Sequence, residues 1–110
     1  MNGGQVPLPR GVSREAWARL SPFQRAVYRA VCQIPKGETR SYGWVARCIG
    51  RPAAARAIGN ALRRNPFAPR VPCHRVVRSD GFLGGYARGL RRKRALLSRE
   101  GWRPASLSSR

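Results

Sequence analysis

The sequence predicts a mainly α-helical domain that contains a helix-turn-helix and a minor β-element. Three observations support this prediction: an apolar stripe with helical spacing at 23–34, two short helical segments on either side of a Gly-Arg-Pro turn, and a β-branched pair at 76–77. A chain of 110 residues suits one domain with a modest core. We expect that domain to span residues 13–102, between tails at 1–12 and 103–110.

Two helices are expected in the N-terminal part of the domain. A short helical turn within 12–20 would face Trp17 inward. Ser21 can then cap a longer helix, Pro22 suits the first helical position, and Gln24 completes a capping box. The apolar stripe of this second helix consists of Phe23, Ala26, Val27, Ala30, Val31 and Ile34.

The predicted helix-turn-helix follows a short extended link. Ser41 caps its first helix, at 42–49, and Gly50 ends that helix. Pro52 opens the second helix, at 53–64, which is built mainly from small residues and arginines. Close packing inside the protein would explain the small residues, whereas the arginines favour insertion into a DNA groove.

The last helix is expected over residues 90–99 and ends at Gly101. Its inward-facing residues would be Leu90, Leu96 and Leu97. Its basic residues are Arg91, Arg92, Lys93, Arg94 and Arg99. A run of this kind usually forms a solvated helix face.

Arginine dominates the charge of the chain. Twenty-three Lys and Arg stand against four Asp and Glu, for a formal net charge of +19, and only Lys36 and Lys93 are lysines. Arginine matches phosphate with a planar fork and stacks on bases, so this composition indicates a nucleic-acid partner. Composition does not separate a DNA-binding protein from a ribosomal or other RNA-binding protein.

The cysteines give no sign of a disulfide framework or a zinc site. Cys32, Cys48 and Cys73 are odd in number and widely spaced, without the spacing typical of metal ligands. No apolar run approaches the ~20 residues of a membrane span, and residues 1–4 do not resemble the start of a secretory signal. We therefore expect reduced thiols in a cytoplasmic protein, nucleoid-associated in a prokaryote, with no metal, cofactor or membrane contact.

A thiol stands beside the only histidine of the chain in the heptad at 71–77, Val-Pro-Cys-His-Arg-Val-Val. Cysteine becomes a good nucleophile only as the thiolate, which needs a nearby base or positive field. His74 offers a base and Arg75 a field. A buried Cys73 with a capping histidine in an ordinary turn is the other interpretation, and the heptad alone does not decide between them.

In this order, the segments resemble the C-terminal domain of the O6-alkylguanine-DNA alkyltransferases. The matching segments are 23–27, Ser41-Tyr42, 54–59, Asn65-Pro66, 72–77, Gly85-Tyr86, Gly89-Leu90 and Glu100-Gly101. The resemblance implies a winged-helix-like fold and direct-reversal DNA repair. In such repair O6-alkylguanine is flipped out of duplex DNA, and its alkyl group passes irreversibly, once per molecule, to a cysteine.

The resemblance also implies a set of catalytic residues. Cys73 would be the nucleophile, and His74 would relay its proton through a water toward Glu100. The helix dipole disfavours an acid at the C-terminal position of Glu100, so another requirement is expected to hold it there. Orienting a histidine is one such requirement, and pairing with a neighbouring arginine is the alternative. Tyr42 would protonate the departing guanine at N3, and Asn65 would brace the turn beside the cysteine.

A second set of residues would contact the DNA or the flipped base. Arg56 matches the arginine finger that fills the gap left by the base, although it could also be one more phosphate contact. The small residues around it, which leave room for insertion, are Ala55, Ala57 and Gly59. Tyr86 would form a pocket wall, and the backbones of Val71, Cys73 and Ala87 would contact the guanine edge. Arg75 would brace the loop and favour the thiolate.

The sequence departs from the family pattern in three places. The matched segments do not include the usual N-terminal domain or the metal site that some members carry there. Ala87 stands where many members have Ser, a change that a contact through the backbone N–H would survive. Arg88 stands where Gly is common, and we expect it to narrow the pocket and disfavour bulky alkyl groups.

Two other function classes compete with alkyl transfer. Alkyltransferase-like proteins usually have tryptophan in place of the cysteine, bind O6-alkylguanine without transfer, and flag it for excision-repair proteins. The presence of Cys73 with His74 and Glu100 favours transfer over this alternative. A general basic nucleic-acid-binding protein would explain the charge but not the ordered motifs. We therefore expect a monomer that binds double-stranded DNA containing O6-alkylguanine.

Overall fold

The computed structural model describes residues 8–78 and 89–102, and within them the protein is mainly helical. The elements in chain order are α1 (Arg14–Ala18), α2 (Pro22–Cys32), β1 (Arg40–Ser41), α3 (Tyr42–Cys48), α4 (Ala55–Arg63), a 3₁₀ turn (Cys73–Arg75), β2 (Val76–Val77) and α5 (Leu90–Arg99). The predicted mainly α, winged-helix-like fold with a helix-turn-helix and a minor β-element is confirmed. None of the described helices has the length and apolarity needed to cross a membrane.

The start of α2 is fixed by the predicted capping box. Ser21 Oγ accepts from the Gln24 backbone N–H at 3.1 Å, and Gln24 Oε1 accepts from the Ser21 N–H at 2.9 Å. Tyr28, which the apolar stripe did not include, is fully buried, and its hydroxyl donates to the Ala61 carbonyl at 2.6 Å. This bond ties α2 to α4 in the middle of the core.

Helices α3 and α4 form the helix-turn-helix and pack on each other and on α2. Gly50 has a φ of +73°, and the N–H groups of Gly50 and Arg51 donate to the last turn of α3, which ends that helix in a Schellman motif. Helix α4 begins at Ala55 and not directly after Pro52 as predicted. Residues 51–54 are needed to redirect the chain, and they form a turn that the Ala54 N–H closes on the Arg51 carbonyl.

The two short strands bring the N-terminus of α3 next to the heptad. β1 and β2 pair in parallel, with Arg40 opposite Val76 and Ser41 opposite Val77. Because Tyr42 follows β1 directly and the 3₁₀ turn directly precedes β2, this small sheet holds Tyr42 and Cys73 in one region of the fold.

Helix α5 begins and ends at the predicted residues, but the residues it buries differ from the prediction. Gly101, at a φ of +91°, ends the helix, and Trp102 N–H donates back to the Leu97 carbonyl. Leu90, expected to face inward, is 51% exposed, whereas Lys93, expected on the solvated face, is completely buried. The helix packs on the 3₁₀ turn, so position 93 faces the heptad, while Leu90 lies in the first turn, where nothing in the described chain covers it.

Candidate active site

The thiol of Cys73 is buried at the start of the 3₁₀ turn, with 3% of the residue exposed. Its backbone N–H donates to the Val71 carbonyl at 2.8 Å. Cys32 and Cys48 are exposed by comparison.

The loop that leads to Cys73 is braced by Asn65, which is 4% exposed. Its Nδ2 donates to the Val71 carbonyl at 2.9 Å, and its Oδ1 accepts from the Phe67 N–H at 2.8 Å. The Asn65 side chain therefore holds the loop backbone at two points, Phe67 and Val71, which is the geometry that the expected bracing role requires.

The backbone of Val71 is committed within this loop. Its carbonyl accepts from both Asn65 and Cys73, and its N–H donates to the Phe67 carbonyl at 3.1 Å. A carbonyl has two lone pairs, so both polar groups of Val71 have their partners within the loop, as does the N–H of Cys73. The contact expected between these backbone groups and the guanine edge stays a prediction.

His74, the residue after Cys73, is in direct contact with Glu100. His74 Nε2 and Glu100 Oε2 are 2.9 Å apart, and only 1% of the His74 side chain and 11% of the Glu100 side chain are exposed. Burial lowers the pKa of His74 and outweighs the opposing effect of Glu100, so the imidazole is neutral at neutral pH. The contact is therefore a hydrogen bond from a neutral ring and not an ion pair.

The protonation state of Glu100 fixes the tautomer of His74. Burial alone would raise the pKa of Glu100, but hydrogen bonds from Arg75 and His74 outweigh it and bring the pKa to about 2, helped by the positive charges that both residues carry at the low pH where Glu100 titrates. An ionised carboxylate only accepts hydrogen bonds, so the proton of the neutral ring must be on Nε2. The Nδ1 lone pair is then the basic site of His74, available in principle to take the thiol proton.

Arg75 joins the 3₁₀ turn to two helices. Its Nε and Nη2 donate to the two oxygens of Glu100 at 2.9 and 2.8 Å, and its Nη1 donates to the Ile34 carbonyl after α2 at 2.8 Å. A bidentate guanidinium–carboxylate pair is geometrically specific. The side chain is only 16% exposed and is held on both sides, which is the geometry that a bracing role requires. The DNA contact that was also expected of Arg75 stays a prediction. Glu100 therefore both orients the histidine and pairs with an arginine.

Tyr42 faces the same region from the N-terminus of α3. Burial raises its pKa, and so does the charge of Cys73, while Arg63 and Arg78 act in the opposite direction. The phenol is therefore protonated at neutral pH and can donate a hydrogen bond. Its ring lies against α4, where a Cβ added at Gly59 would be 4.0 Å from Tyr42 Cε1.

The first turn of α4 presents Arg56 to solvent between small residues. Ala55, Arg56 and Ala57 are all exposed, and Gly59 is half-buried. Within residues 8–78 and 89–102, no hydrogen bond or ion pair holds the Arg56 guanidinium. The side chain therefore protrudes from a smooth surface, as both a finger and a phosphate contact would require.

Three expected contact residues, Tyr86, Ala87 and Arg88, lie outside the described residues. One residue near the thiol was missed by the sequence patterns. Lys93 of α5 is completely buried and donates from Nζ to the Val76 carbonyl at 2.8 Å. Burial lowers its pKa to about 8, although the charge of Cys73 raises it. Helical spacing places Lys93 on one stripe with Leu90 and Leu97, but the positive charge led the sequence analysis to assign it to the solvated face with the four arginines of the same helix.

Residues 22–102 match a family model described as 6-O-methylguanine DNA methyltransferase, DNA binding domain. The chain is 56% identical over 91 residues to the methylated-DNA–protein-cysteine methyltransferase of Mycolicibacterium paratuberculosis. This match covers 82% of the chain and 55% of that protein. The chain thus spans about half the length of the curated relatives it matches.

Two solved structures have a similar fold. One is the OGT of Mycobacterium tuberculosis in complex with DNA, with a TM-score of 0.73 and 54% identity, over 76% of this chain and 51% of that one. The other is S. pombe Atl1 in complex with damaged DNA containing O6-carboxymethylguanine, with a TM-score of 0.67 and 37% identity. That match covers 76% of this chain and 79% of the S. pombe chain.

Proposed function

The chain belongs to the O6-methylguanine DNA methyltransferase family, and on that premise we propose that it repairs O6-alkylguanine in duplex DNA by transferring the alkyl group to Cys73. The observation that carries the proposal is a buried thiol next to a neutral histidine whose Nε2–H is held by an ionised Glu100. A histidine in this state has its basic nitrogen free of the carboxylate and fixed in orientation, as proton removal from a thiol requires.

The proposed reaction is a displacement at the alkyl carbon. The Cys73 proton leaves toward His74 Nδ1, through a bridging water, and the sulfur forms a bond to the alkyl carbon. The bond between that carbon and guanine O6 breaks, and its electron pair remains on the guanine. The guanine takes up one proton, equal to the one the thiol lost, and leaves as the unmodified base. The thioether has no ready reversal in water, so each molecule reacts once.

Tyr42 and Arg56 have separate roles in this proposal. Tyr42 donates a proton to guanine N3 and so makes the leaving group neutral, which lowers the barrier to transfer. The resulting tyrosinate takes up a proton from solvent, and His74 releases the thiol proton to solvent, so both side chains return to their starting states. Arg56 enters the duplex in place of the flipped base and offsets part of the lost stacking. Its exposed position between Ala55 and Ala57 supports insertion, because small neighbours do not obstruct close approach to the DNA.

The proposal is tested by mass spectrometry after incubation with a duplex that contains O6-methylguanine. We expect the peptide that contains Cys73 to gain about 14 Da, the mass of one methylene group, with one equivalent of lesion consumed per protein. Cys73→Ala should bind the lesion but gain no mass, and peptides with Cys32 or Cys48 should be unchanged. A wild-type protein that binds the lesion without a mass change would instead support the non-catalytic alternative, in which the lesion is flagged for excision repair.

Arg56→Ala is expected to slow repair of duplex DNA by about a hundredfold, because the few kcal/mol needed to extrude a base are no longer offset. Reaction with the free base O6-methylguanine should remain within about twofold of wild type, since no base has to be flipped. Single-turnover rates on the two substrates measure the difference.

Arg64→Ala is the matched control for Arg56→Ala. It removes an equal charge from the other end of α4, where Arg64 is exposed. We expect weaker duplex binding at low salt and an unchanged rate at saturating DNA. If both variants slowed repair equally at saturating DNA, Arg56 would be one phosphate contact among several and not a residue that replaces the flipped base.

A further inference from the structure

Glu100 stands at a position where a helix by itself holds a residue poorly. It follows the last residue of α5 as the C-cap. Helix ends fray, and the helix dipole disfavours a carboxylate at that end. The hydrogen bonds from His74 and Arg75 hold the carboxylate, but they exist only while the end of α5 lies beside the 3₁₀ turn. The position of Glu100 therefore depends on contacts that fix the end of the helix.

Trp102 makes two such contacts. Its backbone N–H donates to the Leu97 carbonyl at 3.0 Å and closes the chain around Glu100. Its indole Nε1–H donates to Thr39 Oγ1 at 3.2 Å, across 63 positions of the sequence, in a partly buried site. Water competes less with a hydrogen bond in such a site than with one on the open surface. The end of α5 is thereby attached to the segment that precedes β1.

The loop between α2 and β1 meets the network around Glu100 at two further points. A Cβ added at Gly37 would lie 3.1 Å from the Glu100 carbonyl oxygen, so the loop backbone passes directly against the backbone of Glu100. The Ile34 carbonyl, where this loop begins, accepts from Arg75 Nη1 at 2.8 Å. The indole bond therefore completes a contact surface between the loop and the Glu100 network.

Thr39 also lies next to the element that positions the proton donor of the proposed reaction. Arg40 and Ser41 form β1, and Tyr42 follows them directly. Strand β1 in turn pairs with β2, which follows the 3₁₀ turn. The bond between Trp102 and Thr39 therefore joins the helix end that carries Glu100 to the strand that leads to Tyr42.

We propose that Trp102 and Thr39 are positioning residues for the transfer reaction, and that their hydrogen bond holds the end of α5 on the loop before β1 and so keeps Glu100 against His74. The proposal rests on the proposed function for its catalytic meaning, but the placement of Glu100 exists without DNA. Neither side chain takes up a proton in the reaction. Loss of the bond should therefore lower the transfer rate at saturating DNA and leave lesion binding unchanged, because a small misplacement of a reacting group slows chemistry more than it weakens binding.

Thr39→Val tests the bond, because valine keeps the β-branched shape and removes the acceptor. Trp102→Phe removes the donor and keeps an aromatic ring, and Thr39→Ser, the matched control, keeps the hydroxyl. We expect Thr39→Val and Trp102→Phe to transfer about tenfold more slowly at saturating DNA, and Thr39→Ser to stay within about twofold of wild type. A variant with both slow substitutions should be about as slow as Trp102→Phe alone, because the two side chains share one bond.

A second measurement follows the placement of Glu100 without DNA. The stability that the lowered pKa of Glu100 provides is lost as the pH falls from 4.5 to about 2, and the other carboxyl groups are common to all variants. We expect urea unfolding to show a smaller loss across that window in Thr39→Val and Trp102→Phe than in Thr39→Ser. A bond that only stabilised the fold would lower the free energy of unfolding equally at both ends of the window.

The comparison of Thr39→Val with Thr39→Ser decides the question. Equal losses across the acid window in these two variants, or equal transfer rates, would overturn the proposal. Circular dichroism checks that each variant is folded, and the Thr39 pair suffices if Trp102→Phe does not fold. If wild type gained no mass from methylated DNA, the proposed function would be contradicted, and the unfolding comparison would still support or overturn the placement of Glu100 by this bond.

Discussion

Replacing Glu100 with glutamine is expected to lower the free energy of unfolding by about 3 kcal/mol at neutral pH, since a carboxyl pKa of about 2 in place of 4.5 corresponds to that stabilisation of the folded state. A glutamine side chain has one acceptor oxygen and one NH2 group. The bidentate pair with Arg75 is therefore broken, and the NH2 group of the glutamine faces an N–H donor of Arg75. We also expect transfer to slow by about a hundredfold, because the orientation and tautomer of His74 are no longer fixed.

The pH dependence of unfolding provides a second check on Glu100. A depressed pKa stabilises the folded state above the unfolded-state value of 4.5, and this stabilisation is lost as the pH falls from 4.5 to about 2. Urea unfolding of wild type should therefore weaken across that window, whereas Glu100→Gln should lack this component.

Glu38→Gln is the matched control for Glu100→Gln. Glu38 also pairs with an arginine, Arg40, at 2.7 Å, but half of its side chain is exposed. Surface pairs contribute about 0–1 kcal/mol, so we expect little change in stability and none in transfer. If Glu100→Gln lowered the free energy of unfolding no more than Glu38→Gln does, the buried network would contribute no more to stability than a surface ion pair.

Tyr42→Phe is expected to slow alkyl transfer from duplex DNA by roughly 10²–10³-fold, the usual contribution of a positioned proton donor. Because the pKa of Tyr42 is raised above its ordinary value of 10.0, the donor stays protonated at neutral and mildly alkaline pH. The rate should therefore show no loss from Tyr42 ionisation below about pH 10. Single-turnover kinetics at saturating DNA measure the effect, and binding of the lesion should change little.

Tyr28→Phe is a matched control for Tyr42→Phe, because burial, and then the charge of Cys73, raises the pKa of both phenols. The hydroxyl of Tyr28 is already committed to the Ala61 carbonyl at 2.6 Å in the core. Its removal should lower stability by about 1–2 kcal/mol and leave transfer at saturating DNA unchanged. If both variants slowed transfer equally, the effect of Tyr42→Phe would reflect the packing around the thiol and not proton donation.

The sequence was sufficient to predict features that depend on neighbours in the chain. The capping box of Ser21 and Gln24 and the glycine that ends α3 involve residues within one or two turns of each other, so local patterns identify them. The start of α4 was misplaced because proline is compatible both with a first helical position and with the turn that the chain forms at 51–54.

The faces of α5 could not be predicted because they depend on what lies across from the helix. Helical spacing puts Leu90, Lys93 and Leu97 on one stripe, and hydrophobicity favours the leucines as the buried members. In the structure position 93 lies against the heptad, so a lysine is buried there, whereas Leu90 lies beyond the edge of the packed surface. Conversely, the internal partners of Arg75 are 25 and 41 residues away, which no local pattern reveals.

The three-way contact of Arg75 has a consequence for how the site comes into being. Its guanidinium joins the end of α2, the thiol turn and the end of α5, so two long loops must close before the contact exists. Loop closure costs chain entropy that only the completed contact offsets, and contacts between distant residues form late in folding. A nascent or partly folded chain therefore contains Cys73 without the network of His74, Arg75 and Glu100 around it. Local fraying of α5 alone would remove Glu100 from that network.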